Sequence, residues 1–285
     1  MIDRRAILAG GAALLCGAAR PVDPWPFAQI RSSLGPGARL GVAALDTVSG
    51  RTKRLDADSR YAMCSTFKLP LAAFLLHQVE RGRATLDEEI AFSAADLVPY
   101  APVIEANLAR GRLSVAQLCA AIVEVSDNVA ANLLLRRIGG PRGLTAFIRR
   151  QGDRVTRLDR FEPELNTNIA GDPRDTTTPA AMLRLTRRLL LGPALRPASR
   201  ARLIGWLERA STGRNRLRAG VPAGWRVGDK TGNGAEGAAN DVAILWPPRR
   251  GPILVASFMS APAVDLQTRD AAHEAVARAM VAAFA

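Results

Sequence analysis

Strand-like stretches at both ends of the chain with a helical block between them predict a two-domain fold, α/β plus all-α. An α/β domain would be assembled from both termini, with an all-helical domain inserted into it. Three observations carry this expectation. Residues 39–45 near the start, and 225–232, 241–246 and 253–259 near the end, have strand character. Apolar runs of helical character recur between Leu69 and Glu208. The 285 residues, 48% hydrophobic and 23% charged, suffice for one large domain or two closely packed ones. On this reading residues 20–60 and 210–285 form the α/β domain and 61–209 the helical one.

Residues 1–19 have a charged start, a short apolar centre and a small-residue end, the order of an export signal cut after Ala19. The Arg4-Arg5 pair admits the twin-arginine route, and bulky Leu15 argues against a lipoprotein site at Cys16. A periplasmic or secreted location follows as the expectation. Export would leave Cys64 and Cys119. Each lies within or beside an apolar helical run, where free cysteine packs as a small hydrophobe, so both are read as thiols.

Residues 26–34 suit a short helix. The strand at 39–45 is followed by the turn signal Ser49-Gly50 and then Arg54-Leu55, a β-hairpin pattern. Cys64-Ser65-Thr66-Phe67-Lys68 opens the apolar run Leu69 to Leu76, a helix that Ser65 would start. After the break at Gly82, Val98-Pro99-Tyr100-Ala101-Pro102 is a proline-punctuated loop. Ser114 and Gln117 form a capping box ahead of a helix over 118–125, which leads into Ser126-Asp127-Asn128. A second helical run, 129–138, stops at Gly139-Gly140-Pro141. Residues 152–179 show little periodicity, and so long an irregular segment inside a compact domain is often functional. Helices resume at 180–191 and 200–208. The chain ends in a helix over 269–284, with Ala272, Val276, Ala279, Met280 and Phe284 on one face.

The net charge of +13 invites a nucleic-acid reading, but the positive residues are scattered and no aromatic-basic stripe accompanies them. Of 39 cationic residues only Lys53, Lys68 and Lys230 are lysines. Lysine can release its proton in a buried site, whereas arginine cannot. The only histidines, His77 and His273, are read as ordinary helix residues, too few for a Ser-His-Asp triad or a histidine-rich zinc site. Neither metal nor cofactor is expected.

Within Ser65-x-x-Lys68, residues three apart share a helical face, so a hydroxyl and an amine sit side by side. A serine hydroxyl is a poor nucleophile until a neighbour takes its proton, and a desolvated lysine can do so. The helix N-terminus adds unpaired N–H groups where an oxyanion would form. Alone, the motif is weak, because serine at a helix start is usually only a cap. It is followed in order by Ser126-Asp127-Asn128 and by Lys230-Thr231-Gly232, and the ordered set is far more specific than any member.

With Arg160-Phe161-Glu162-Pro163-Glu164-Leu165-Asn166 and Asp175 added, the chain resembles a class A serine β-lactamase over essentially its whole length from Phe27 onward. The resemblance implies an antiparallel sheet flanked by helices. It implies hydrolysis of penicillin- and cephalosporin-type β-lactams through a serine acyl-enzyme, antibiotic resistance, and a monomer with neither nucleic-acid nor stable membrane association. Rival readings within the superfamily are a D,D-peptidase or transpeptidase, or a sensor that acylates without turnover. These lack the deacylating glutamate that Glu162 matches.

Carried over by position, Ser65 would attack the lactam carbonyl, with Lys68, or Glu162 through a water, taking its proton. Ser126 would relay a proton to the departing nitrogen, and Glu162 with Asn166 would activate the deacylating water. Backbone N–H groups of Ser65 and Asn233 would bind the oxyanion. Asn128 would bind the substrate amide, Tyr100 would wall the cleft, and Lys230 and Thr231 would meet the substrate carboxylate. Arg160 and Asp175 would pair to pin the irregular loop, the family's Ω-loop.

Many family members carry an arginine on the strand after Lys-Thr-Gly, but the matching position here is Ala239. The resemblance makes Arg216 the main substitute and Arg269 the alternative. Carbapenem-hydrolysing members often bridge the cysteine before the nucleophile to one just after Lys-Thr-Gly. Gly234 stands at that second position, so the bridge cannot form.

Overall fold

The computed structural model describes residues 26–284; the export-signal reading of residues 1–19 lies outside them. Strands β1 (Arg39–Asp46), β2 (Thr52–Leu55), β7 (Arg226–Asn233), β8 (Ala238–Trp246) and β9 (Ile253–Ser260) form one sheet in the order β2-β1-β9-β8-β7. Every pairing is antiparallel, so the first two strands of the chain join its last three.

The inner strands are apolar on both faces because both are covered. On β1, Leu40, Val42 and Ala44 enter one apolar cluster while Ala43 and Leu45 enter another. On β9, Ile253, Val255 and Met259 alternate in the same way with Leu254, Ala256 and Phe258. This period of two is the geometry of a strand buried on both sides. One face is closed by α1 (Pro26–Ser33) and α9 (Leu266–Phe284), whose Phe27, Val276, Met280 and Phe284 are buried in its cluster.

The other face meets the helical block through α7 (Pro179–Leu190) and α8 (Pro197–Glu208). At the centre of that block runs α2 (Lys68–Glu80), buried at every residue from Lys68 to Leu76. Around it stand α4 (Val115–Glu124), α5 (Asn128–Arg137) and α6 (Gly140–Arg150). The expected capping box forms at α4: Ser114 Oγ accepts from Gln117 N at 3.2 Å and Gln117 Oε1 accepts from Ser114 N at 2.9 Å.

Three local expectations are revised. Gly139-Gly140-Pro141 does more than stop a helix, since Gly139 adopts a left-handed conformation (φ 87°) while Gly140 and Pro141 open α6. That helix buries Leu144, Phe147 and Ile148 at helical spacing and leaves Arg142 and Arg150 exposed. The proline-punctuated loop leads, at its last residue, into a short helix, α3 (Pro102–Ala106). The third concerns Ser65, which lies in a 3₁₀ turn, Cys64–Phe67, that runs directly into α2.

The irregular segment is held by short strand pairings and ion pairs. Strand β3 (Tyr61–Ala62) pairs with β6 (Thr176–Thr177), as β4 (Glu89–Ala91) does with β5 (Arg112–Ser114) elsewhere. Asp175 is buried; its Oδ2 accepts from Arg160 Nε at 2.5 Å, and its Oδ1 accepts from the backbone N–H groups of Asp159 and Arg160. The segment is therefore an ordered loop clamped at its neck. Cys64 and Cys119 are both buried free thiols.

Candidate active site

The 3₁₀ turn explains the alignment of Ser65 and Lys68 better than an α-helix would, because in that geometry residues three apart eclipse one another. Lys68 Nζ lies 2.9 Å from Ser65 Oγ. The turn is anchored from below by Asn240, whose side chain on β8 donates to the carbonyls of Ala62 and Met63. Three residues here occupy left-handed backbone: Cys64 (φ 44°), Tyr100 (φ 67°) and Ser126 (φ 65°). Such strain persists only where the surrounding structure over-determines it.

Lys68 is fully buried and surrounded by more acceptors than it can serve. Besides Ser65 Oγ, its Nζ reaches Ser126 O at 2.8 Å, Ser126 Oγ at 3.3 Å, Asn128 Oδ1 at 2.5 Å and Glu162 Oε1 at 3.0 Å. An ammonium has three N–H groups for these five oxygens, so small shifts of one hydrogen exchange its partners. Burial holds the Lys68 amine below the ordinary lysine range, against the opposing pull of the Glu162 carboxylate.

Glu162 comes from the irregular loop and meets the nucleophile from the other side, with Oε1 3.3 Å from Ser65 Oγ. Its backbone is gripped by Asn132 on α5: Asn132 Nδ2 donates to Glu162 O and Glu162 N donates to Asn132 Oδ1, both at 2.9 Å. Asn166 Nδ2 donates to Glu162 Oε2 at 2.5 Å, while Asn166 Oδ1 is buried and accepts no bond among the described residues.

Ser126 follows α4 in a turn fastened by Asp127, which caps α5 through Ala130 N and accepts from the N–H groups of Val103 and Ile104. Asn128 N donates to Tyr100 O, tying the Tyr100 loop to the same turn, and the Tyr100 residue is 56% exposed. Lys230 Nζ lies 3.0 Å from Ser126 Oγ, so the hydroxyl stands between two amines. Burial, and next the nearby Lys68 charge, bring the Lys230 amine down to about 7.

Strand β7 lies directly against the nucleophile turn. A Cβ at Gly232 would meet Ser65 N at 3.1 Å and Met63 O at 2.9 Å, so glycine permits this approach. Next along the strand, Asn233 is exposed and Thr231 is buried, its Oγ1 donating to Thr212 Oγ1 at 2.6 Å. Ala235 N donates to Asn166 O, which joins the strand's end to the Glu162 loop.

Arg216 is neither solvated nor open to the cleft; it is 3% exposed. Its Nε donates to Asp270 Oδ1 at 2.6 Å, its Nη1 to the carbonyls of Gly232 and Asn240, and its Nη2 to Asn233 Oδ1 at 2.5 Å. Four of the five guanidinium N–H groups are thus used, and the fifth is on the nitrogen beside Asn233. Arg269 instead donates through Nε to the carbonyl of Asp265, the residue just before its own helix.

Eleven residues singled out in the sequence thus divide clearly. Ser65, Lys68, Ser126, Asn128, Glu162, Asn166 and Lys230 form one continuous hydrogen-bonded cluster. Thr231, Asn233 and Arg216 line the adjoining strand, and Tyr100 stands at the rim of the Asn128 turn. The anchors Asn132 and Asn240 were not anticipated; the only signal is a polar side chain on the buried face of an apolar helix or strand. Among the described residues no group of three or more His, Cys, Asp or Glu side chains could hold a metal ion. No described helix is long and apolar enough to cross a membrane.

The model of the beta-lactamase enzyme family matches residues 28–284. The chain is 46% identical over 254 residues to the carbapenem-hydrolyzing beta-lactamase KPC of Klebsiella oxytoca, covering 89% of this chain and 86% of that one. It is 46% identical to beta-lactamase AST-1 of Nocardia asteroides, over 90% of this chain and 82% of that protein. Among solved structures, the class A beta-lactamase of the last common ancestor of Gram-negative bacteria superposes with a TM-score of 0.89 at 54% identity, covering 91% of this chain and 98% of that one.

Proposed function

This chain belongs to the class A β-lactamases and hydrolyses the β-lactam ring, the basis of resistance to such antibiotics; we propose that the cluster around Ser65 performs that hydrolysis through an acyl-enzyme. The observation that carries the proposal is the placement of one hydroxyl between a buried amine and a buried carboxylate, at 2.9 and 3.3 Å.

Lys68 takes the Ser65 proton as Oγ attacks the lactam carbonyl. Its depressed basicity favours a free lone pair, and Glu162 at 3.0 Å can receive the proton Lys68 must first shed. The backbone N–H groups of Ser65 and Asn233 meet the developing oxyanion, each contributing about 3 kcal/mol to the transition state. The Ser126 hydroxyl accepts from both amines and passes its own proton to the departing ring nitrogen. Ring opening then does not reverse.

Deacylation needs a water held against the ester. Asn166 Oδ1 supplies a buried acceptor for it and Glu162 the base. Asn128 offers its amide to the substrate side chain and Tyr100 bounds the cleft. Lys230 and Thr231 supply the charge and donor for the substrate carboxylate; Arg216, buried and paired with Asp270, is not the direct ligand the resemblance implied but holds Asn233 and the Gly232 carbonyl beside that site. Because Lys230 titrates at about 7 in the free enzyme, kcat/KM falls on the alkaline side as that amine loses its proton. Arg216→Gln raises KM for penicillins by about tenfold with little change in kcat, since it releases Asn233 and the Gly232 carbonyl that Arg216 holds beside the carboxylate site. An unchanged KM would remove that positioning role.

We further propose export to the periplasm or cell exterior, a monomeric state, and the division into a sheet domain (20–60 with 210–285) and a helical domain (61–209). The order of charged, apolar and small residues over 1–19 supports export, and the single sheet built from the first two and last three of the chain's strands supports the division. The chemistry is tested by giving the purified protein excess penicillin and following ring opening. Many turnovers per molecule are expected; a single stoichiometric burst points instead to a transpeptidase or sensor.

A further inference from the structure

Behind the Lys230 strand lies a pair of carboxyl groups that the chemistry above does not use. The β7–β8 register sets Thr231 opposite Asp241 and Asp229 opposite Ala243, so Asp229 and Asp241 occupy diagonal positions on one sheet face. Both are fully buried. Asp229 Oδ1 accepts from Arg218, and Asp241 Oδ2 accepts from Leu217 N at 3.1 Å. The remaining oxygens, Asp229 Oδ2 and Asp241 Oδ1, are buried and accept no bond among the described residues. The chain closes over them: a Cβ on Gly213 would come within 1.7 Å of Asp229 Oδ2.

Two ionised carboxylates in this position would repel one another and leave two oxygens unbonded in the interior, each at the cost of its desolvation. We propose that Asp229 and Asp241 hold one proton between them, with Asp241 Oδ1 carrying it and donating to Asp229 Oδ2. A single hydrogen then satisfies both orphaned atoms, and the pair presents one negative charge instead of two.

The charged groups around the pair agree with this count. Arg218 faces Asp229, Arg216 is neutralised by Asp270, and Lys230 projects from the strand between them. His273 on α9, held down to about 3 by burial, is neutral and bonded to Ser257 and the Ala239 carbonyl. Burial and the Asp229 charge push the Asp241 carboxyl well above the ordinary range, against the pull of Arg216.

The pair is therefore a positioning device for the Lys230 proton, a consequence that rests on the role proposed for Lys230. Both carboxyls raise the basicity of that amine, and a second full negative charge would keep it protonated to higher pH. By holding one proton, the pair lets Lys230 titrate near neutrality.

Asp241→Asn tests this, because its amide N–H can replace the proposed O–H without changing the charge. The infrared difference spectrum of wild type against D241N at neutral pH is expected to show the carbonyl stretch of a neutral carboxylic acid lost in the variant. The alkaline limb of kcat/KM is expected to stay in place. D241N is also expected to gain Tm over wild type as pH rises. Wild-type Asp241 keeps its proton when folded but releases it when unfolded, so its stability declines between the ordinary carboxylate range and the raised value. The proposal is overturned if the acid band is absent and the limb moves to lower pH, as removal of a true negative charge would require. Should D241N fail to fold, carbon-13 aspartate labelling of the wild type still decides through a carboxyl signal that does or does not titrate in the usual range. If the wild type has no alkaline limb, the role of Lys230 fails while the infrared band continues to decide the pair.

Discussion

Glu162→Gln is expected to convert the enzyme into one that acylates and stops. Given excess penicillin, the variant releases one burst of ring-opened product and retains a covalent adduct on Ser65, visible by mass spectrometry, with deacylation slowed by ~10²–10⁴-fold. Glutamine keeps the bond from Asn166 to the side chain and the Asn132 grip on the backbone, so the loop remains while the base is gone. Steady turnover near the wild-type rate would remove the deacylation role. Loss of the burst as well would make Glu162, acting through a water, the acylation base in place of Lys68.

Lys68→Met is expected to abolish the burst itself, lowering the acylation rate by ~10²–10⁴-fold, because no other amine lies against Ser65 Oγ among the described residues. It also isolates Glu162. Both side chains of this ion pair are fully buried, and removing one partner of such a pair costs about 3–5 kcal/mol through the charge left behind. The double variant Lys68→Met/Glu162→Gln removes both charges of the pair, so its stability should recover well above that of Lys68→Met while activity stays absent. Urea unfolding of the three proteins measures this. Equal stability of single and double variants would mean that the pair is not coupled, and single-turnover kinetics with normal acylation in Lys68→Met would pass the base role to Glu162.

The parts of the site legible in the sequence were those in which chemistry and local geometry coincide within a few residues. Ser65 and Lys68 declare themselves because a three-residue spacing at a helix start aligns their side chains. Ser114 and Gln117 announce a helix start by the same short-range logic. Strand character at β1 and β9 was equally readable, but not the register, because strands apolar on both faces carry no alternation to fix it. Helix α6 was missed because Gly140-Pro141 looks like punctuation until the apolar triplet Leu144, Phe147 and Ile148 is given a surface to cover.

Other groups acquire meaning only from partners far along the chain. Asn132 resembles any polar residue in an apolar helix, yet it fixes the backbone of Glu162, 30 positions away. Arg216 reads by resemblance as the arginine that meets the substrate carboxylate, until Asp270, 54 positions on, is found to neutralise it inside the fold. Asp229 and Asp241 read as two isolated acids in strands, and only the β7–β8 register sets them beside each other without solvent.

By itself, then, the sequence determined which functional groups this protein owns, their order, and the family whose chemistry they serve, because spacing along one helix or strand is a local property. The tertiary structure alone decided their ionisation and aim: that Lys68 and Lys230 share one serine, that Arg216 is already paired, and that two acids meet behind the sheet. The physical reason is that proton affinity and hydrogen-bond direction depend on burial and on the nearest opposite charge, and both are set by segments that meet only when the chain has folded.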